Sequence, residues 1–390
     1  MAAPQVATVP LEDSLGQVLS DDIISPQSSP AFSNSAMDGY ALALQPDEAK
    51  ALSITRQRVD VLGAGRVSMA AITADTCVKI MTGAPVPKGA NIVVPIEEAS
   101  VIEDAETGRV DVRFSGPFRS SQHIRFKGEE FGLGDLLLPA GTRLSPAGIG
   151  LLASLGYVNV PAFRVPRVAI LATGSELLPV GAPLSPGKLR DSNSDTLAAC
   201  VREAGAIPVK FGVLPDNPLA IEAAFEKAFQ SCDMVLSSGG VSVGDFDYVQ
   251  DTLLKLGLEK KFWKVAIKPG KPVLFGTLKD KLCFGIPGNP ASALVVFELL
   301  VRPALRQMLG HEQVYRPKVQ GQLLQDVKAS SGRLHLMRAH YDAVEHTLVP
   351  FQGQGSSNIW TAAQANALLP VYEDYAAGAT VDAFLLTRSD

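Results

Sequence analysis

The sequence predicts a multidomain α/β protein, with a central three-layer α/β domain, a β-rich domain inserted near the N-terminus and a small C-terminal β-barrel. Three observations carry this reading. Residues 166–310 alternate short apolar runs with segments of helical spacing, at the interval expected of βα units. Residues 40–125 are rich in β-branched residues, glycine and turns, with little helical spacing. After Pro317 the apolar–polar alternation resumes ("KVQGQLLQDV", "LHLMRAHYDAV", "TVDAFLLT"). A chain of 390 residues is also too long for one compact core and suggests two to four domains.

Taken in order, residues 1–37 and 126–165 read as an N-terminal linker or dimer domain, interrupted by the β-rich insertion at 38–125. The second part of that domain includes the amphipathic "SPAGIGLLASLGY". The α/β domain spans 166–312. "RVAILATG" (167–174) is a strand ending in a turn, "SDTLAACVREAGA" (194–206) a helix, and "IPVKFGVL" (207–214) a second strand. "NPLAIEAAFEKAF" (217–229) is a helix with Asn217 as its cap and Pro218 at its first position. "DMVLSSGG" is a third strand. "NPASALVVFELLVRPALRQMLG" is a long apolar helix that repeats the Asn-Pro opening. Alternation of this kind predicts a parallel sheet between two helix layers. Residues 313–390 form the C-terminal barrel.

Composition excludes several classes. Apolar content of 46% and charged content of 19% fit a well-packed soluble protein, and 35 basic against 40 acidic residues give a net charge of −5. Such a balance argues against general nucleic-acid binding. No apolar run approaches the ~18 residues of a membrane span, and the N-terminus lacks the basic and apolar regions of a secretory signal. Cys77, Cys200, Cys232 and Cys283 are scattered, as expected of buried thiols in a reducing cytoplasm. The five histidines are unclustered.

The chemistry concentrates on loops at the carboxyl ends of the α/β strands, where ligands of such sheets bind. "TGSEL" supplies Glu176, "LPDNP" supplies Asp216, and "GGVSVGDFD" supplies Ser242, Asp245 and Asp247. "FWKVAIKPGKP" supplies Lys264, Lys268 and Lys271, and "GIPGNPAS" supplies a rigid turn with Ser292 on the helix it starts. Each has a bland reading: Glu176 and Asp216 as helix caps, the lysines as a solvated hairpin edge, and Asn289-Pro290 as a strand–helix junction. Together they are more informative. Carboxylates suit Mg²⁺ shared with substrate phosphates, and lysines with a helix N-terminus suit anions. Both on one rim suggest a metal-bridged phosphate beside a second oxyanion.

Seven segments, "SAMDGYA" (35–41), "IMTGAPVPKGANIVVPIEE" (80–98), "PRVAILATGSEL" (166–177), "DSN" (191–193), "SSGGVSVGDFDYV" (237–249), "FWKVAIKPGKPVLFG" (262–276) and "GIPGNPAS" (285–292), together resemble the molybdopterin molybdenumtransferase family, which includes the gephyrin E domain. The resemblance runs from about Pro10 to the C-terminus, with the motifs in the family's order. It implies insertion of molybdate into adenylated molybdopterin with release of AMP and a requirement for Mg²⁺. It also implies a homodimer whose active site is shared between subunits, a cytoplasmic location, and the molybdopterin adenylyltransferase as a further partner. Nucleic acid and membrane are not implied.

Carried over by position, Asp247, Glu176 and Asp216 are the metal-holding carboxylates, and Lys264, Lys268 and Lys271 the cations facing phosphate and molybdate. Ser242, Asp245, Pro287, Pro290 and Ser292 contact substrate, with Arg338 and Ser356 from the C-terminal domain and Asp38 and Thr82 from the partner subunit. "HIRFKGEE" (123–130) departs from the family pattern and leaves Arg125 and Lys127 as candidate phosphate contacts. Two rival readings remain at this level: a binding scaffold, and an α/β protein that binds molybdopterin or a nucleotide without inserting metal.

Overall fold

A computed structural model describes residues 4–63, 65–240, 248–330 and 332–386. Its contacts divide the chain into two compact units, one of residues 22–139 and 150–157, the other of 1–21, 140–149 and 158–390. Ser242, Asp245 and Asp247 lie outside the described residues.

The smaller unit is built on a six-stranded sheet in the order 92–95, 39–42, 76–80, 53–62, 110–115, 99–103. Alternation within its strands sorts side chains to two faces, and both faces are covered. Tyr40 and Leu42 pack with Phe114, while Ala41 packs with Val78 and Val93. Every neighbouring pair is antiparallel except 53–62 with 76–80.

In the larger unit, the strands of the α/β sheet are β1 (Arg167–Thr173), β2 (Ile207–Leu214), β3 (Met234–Ser238), β4 (Glu259–Trp263), β5 (Leu274–Leu278) and β6 (Lys281–Ile286). The helices are α1 (Asn193–Glu203), α2 (Pro218–Ser231), α3 (Tyr248–Lys255), α4 (Pro290–Val296) and α5 (Arg302–Met308). The sheet order is β2-β1-β3-β6-β5-β4. β2, β1, β3 and β6 are parallel, as the βα alternation predicts, but β5 is reversed and pairs antiparallel with both β6 and the edge strand β4. The sheet is therefore mixed, because β5 and β6 follow each other through the tight turn at Lys279-Asp280, which leaves no room for a crossover helix.

Period-two alternation explains the three layers. Val168 and Ile170 of β1 pack with Leu197, Val201, Phe297 and Val301 on one face. Ala169 and Leu171 pack with Ile221, Phe225, Val249 and Leu253 on the other. The cap expected at Asn217 is formed: its Oδ1 accepts from the N–H groups of Leu219 and Ala220 at 3.0 and 3.1 Å. The long apolar helix runs from α4 into α5 through a π-helical turn at Phe297–Val301, placed ahead of Pro303, which cannot donate to Leu299. All four cysteines are buried and free.

Beyond α5, strands β7 (Lys318–Leu323), β8 (Leu334–Asp342), β9 (Thr347–Pro350), β10 (Ala367–Val371) and β11 (Thr380–Leu385) close in the order β8-β9-β7-β11-β10-β8. The result is a five-stranded barrel around Leu323, Ala339, Tyr341, Leu348 and Leu369. The two-residue strand Ile267–Lys268 leaves the α/β domain and pairs in parallel with β8, with Lys268 opposite His335. A second tie is electrostatic. Arg316, at the entry to the barrel, donates to both carboxylate oxygens of Glu298 at 2.8 and 3.0 Å and reaches Glu203 of α1 at 2.7 Å.

Two predictions follow from this packing. Glu298 and Arg316 have side chains only 9% and 10% exposed, so Glu298→Ala leaves a buried guanidinium without its bidentate partner. A loss of about 3–5 kcal/mol is expected, against less than about 1 kcal/mol for Glu203→Ala, whose side chain is 55% exposed. Urea unfolding monitored by Trp263 and Trp360 fluorescence measures both. The second concerns acid. Burial first, and then the positive charges of Lys268, Arg338 and Arg333, push His335 down to about 4, and burial with neighbouring arginines does the same to His311. The unfolded chain takes up these protons near the ordinary 6.5 while the folded chain resists them to about 4. The contribution of each is complete above pH 6.5 and is lost as pH falls towards 4. Melting temperatures between pH 7 and 4.5 are expected to fall less steeply for His335→Gln than for the unsubstituted chain.

Candidate functional site

β1, β3 and β6 end side by side, and each opens into a glycine-bearing turn: Gly174-Ser175, Gly239-Gly240 and Pro287-Gly288. Between these turns lies a cleft of about 710 Å³. Glu176, Asp216, Pro287 and Pro290, all expected at the site from sequence, line it. The glycines have a structural reason. Gly240 has φ +67°, and a Cβ there would meet Val249 Cγ2 at 2.4 Å; one on Gly239 would meet the Thr173 carbonyl at 2.7 Å. The close approach is therefore to β1 and α3 inside the domain.

The acidic wall is held by the Ser175 peptide. Its N–H donates to Asp216 Oδ2 at 2.9 Å, and its carbonyl accepts from Lys188 Nζ at 2.6 Å. Neither Glu176 nor Asp216 caps a helix; Asp216 fixes the turn that carries Glu176. The Glu176 carboxylate folds back over Gly174, 2.6 Å from where a Cβ on that residue would stand. Asp191 joins this wall, buried, with Oδ1 accepting the Ser194 N–H at 3.0 Å.

Hydroxyl groups and a buried arginine lie on the other side of the 287–290 turn. Asn289 does not cap α4, as the Asn-Pro opening suggests; its Nδ2 donates to Ser356 Oγ at 3.0 Å. Ser356 also accepts the Ser292 N–H through its carbonyl at 3.2 Å, so the loop 353–358 is seated on the start of α4. Arg338 anchors that loop from below. It is 1% exposed and donates to Thr361 Oγ1 at 2.9 Å and to the carbonyls of Gly353 and Gly355 at 3.3 and 3.1 Å. Among the described residues its Nη1 has no partner, and neither has the buried Nε2 of His335. Gly270 of "KPGKP" lies against Val296 and the Ser292 carbonyl, which brings the lysine loop onto the same helix start.

The three lysines separate. Lys264 is exposed, with Nζ 3.8 Å from the centroid of the Trp263 ring. Lys268 is half-buried in the strand that joins the barrel, and Lys271 is exposed next to Pro272, the residue of this segment that lines the cleft. In the smaller unit Asp38 and Thr82 meet: Asp38 Oδ1 accepts from both the N–H and the hydroxyl of Thr82 at 2.7 Å. These hydrogen bonds hold its carboxyl below the usual carboxylate range. Arg125 and Lys127 are also in that unit, both exposed. Among the described residues no group of three or more His, Cys, Asp or Glu side chains is placed to hold one metal ion, and no helix is long and apolar enough to cross a membrane.

Sequence reasoning missed Thr173, Asp191 and Asn193 in the cleft and Lys188 at its wall. "DSN" at a helix start was the available signal for two of them.

Three family descriptions match successive parts of the chain: "MoeA N-terminal region (domain I and II)" over residues 1–156, "Probable molybdopterin binding domain" over 169–307, and "MoeA C-terminal region (domain IV)" over 320–386. Similar proteins include the molybdopterin molybdenumtransferase of Bacillus subtilis, 37% identical over 98% of this chain and 90% of that protein. That of Haemophilus influenzae is 37% identical over 88% of this chain and 83% of its own length. A solved molybdopterin biosynthesis protein from Pyrococcus horikoshii superposes with a TM-score of 0.84 at 29% identity, covering 99% of this chain and 95% of that one. With the three regions in order and more than a third of residues identical over nearly the whole length, the chain belongs to the molybdopterin molybdenumtransferase family.

Proposed function

We propose that this protein inserts molybdate into adenylated molybdopterin, releasing AMP and yielding molybdenum cofactor. The observation that supports this most is what meets at the 287–290 turn: carboxylates along the cleft, and behind it two serines and a buried arginine whose Nη1 has no partner among the described residues. Among the described residues Arg338 has no carboxylate partner and its Nη1 no acceptor, which leaves a charged donor for an oxyanion. Lys268 and Lys271 add charge for a compact anion such as molybdate, and Ser292 and Ser356 add hydroxyls. Arg338 is read here as both anchor of the 353–358 loop and anion partner.

On the other wall, Asp216 sets the turn that presents Glu176. Two carboxylates with hard oxygen donors fit Mg²⁺, which keeps waters and substrate phosphates as its remaining ligands. Glu176 and Asp216, with Asp247, would hold it, and it would neutralise the phosphate charge. Ser242 and Asp245 belong to the same sequence motif as Asp247. We read the working form as a cytoplasmic homodimer in which Asp38 and Thr82 of the second subunit complete the site, with the adenylyltransferase as donor of substrate.

The decisive assay is AMP release from adenylated molybdopterin with and without molybdate. Release independent of molybdate overturns the insertion reading in favour of simple binding or hydrolysis. Asp216→Asn keeps an oxygen for the Ser175 N–H and is expected to fold normally, yet to slow molybdate-dependent release by about a hundredfold or more. Lys268→Ala and Lys271→Ala are expected to raise the molybdate concentration for half-maximal rate by about tenfold, with pterin binding little changed. Equal weakening of both would return the lysines to a structural role. For the shared site, Asp38→Ala and Asp247→Ala homodimers should be inactive. Random reassortment of the two makes half the dimers mixed, each with one intact pocket of two, so about a quarter of full activity should return. No recovery in verified mixed dimers places each site within one chain.

A further inference from the structure

The "DSN" segment (191–193) is among the motifs of the resemblance, yet the proposed function gives its last residue, Asn193, no role. It is the first residue of α1, lines the cleft and is 7% exposed. Its Nδ2 donates to Ser238 Oγ at the end of β3 and to the Gly288 carbonyl in the turn after β6, each at 2.7 Å. Two acceptors on one nitrogen use both its hydrogens and settle which end of the amide is which. Reversing the amide would set Oδ1 against the Gly288 carbonyl, acceptor to acceptor. Oδ1 is thus fixed in direction, and it is buried with no hydrogen-bond partner among the described residues.

We infer that Asn193 is a specificity-determining residue of the cleft, whose Oδ1 accepts a hydrogen bond from the exocyclic 2-amino group of the bound pterin. This rests on the function proposed above. The argument is one of polarity. A desolvated carbonyl oxygen without a donor is costly, and only an incoming N–H or O–H relieves it. Phosphate and molybdate bring oxygens and are repelled, so this acceptor cannot serve the anionic part of the substrate. Asp191, two residues away in the same lining, is an acceptor as well. Neighbouring acceptors suit the donor-bearing edge of a heterocycle, and an aminopyrimidine ring supplies one. The amide also ties the ends of β3 and β6 to α1, so the reading atom is held by rigid elements.

The test compares pterin with lumazine, which carries a carbonyl in place of the 2-amino group, by fluorescence titration. The unsubstituted protein is expected to prefer pterin by about tenfold or more, the effect of facing a buried acceptor with another acceptor. Asn193→Leu should abolish the preference. Asn193→Asp loses the donors to Ser238 and Gly288 but keeps an acceptor, and should retain it. A merely structural amide would weaken both ligands alike in both variants and leave the ratio unmoved. If Asn193→Leu does not fold, Asn193→Ala removes the same acceptor with a smaller side chain. A preference that persists in the Leu or Ala variant overturns the assignment. So does failure of the unsubstituted protein to bind either ring while AMP release still depends on molybdate. Absence of both binding and release overturns the underlying function as well.

Discussion

Burial of the central strands on both faces is the constraint from which the rest of the larger unit follows. β1 sends Val168 and Ile170 to one helix layer and Ala169 and Leu171 to the other. Each fully buried aliphatic side chain of this kind is worth roughly 1.5–3 kcal/mol. Strand ends are then the one place where backbone and polar side chains of different strands can converge on solvent. Thr173, Ser238 and Pro287 stand within one cleft for that reason, although more than a hundred positions separate the first from the last.

Convergence alone would give a polar crevice. Its sorting into an acidic and a basic side depends on two ties. The Ser175 peptide, gripped by Asp216 and Lys188, fixes the carboxylate side. Ser356, bonded to Asn289 and Ser292, draws a barrel loop onto the start of α4. Between them runs the Pro287–Pro290 turn.

Much of this was legible in the sequence because it is local. Period two and period 3.6 locate the strands and helices, and Asn217-Pro218 marks a cap that the structure contains. Asn289-Pro290 shows the limit of the same rule. The dipeptide is equally good as a helix start, yet its side chain goes to a residue 67 positions away, and no local pattern encodes that choice. The antiparallel edge of the sheet was hidden likewise, since strand direction depends on whether the connection is a turn or a crossover.

What the sequence by itself determined is the set of layers, the order of the domains along the chain, and the acidic and basic residues that loops at the strand ends would carry. Each of these rests on short-range periodicity, on turn chemistry or on motif order. The tertiary structure alone decided which polar groups find partners. It turned Arg338 inward to hold a loop, left its Nη1 and Asn193 Oδ1 without partners among the described residues, and set Lys264 over Trp263. Hydrogen bonds and desolvation act over a few ångströms in space, between residues that the chain keeps far apart, and only the packed fold brings those ångströms into being.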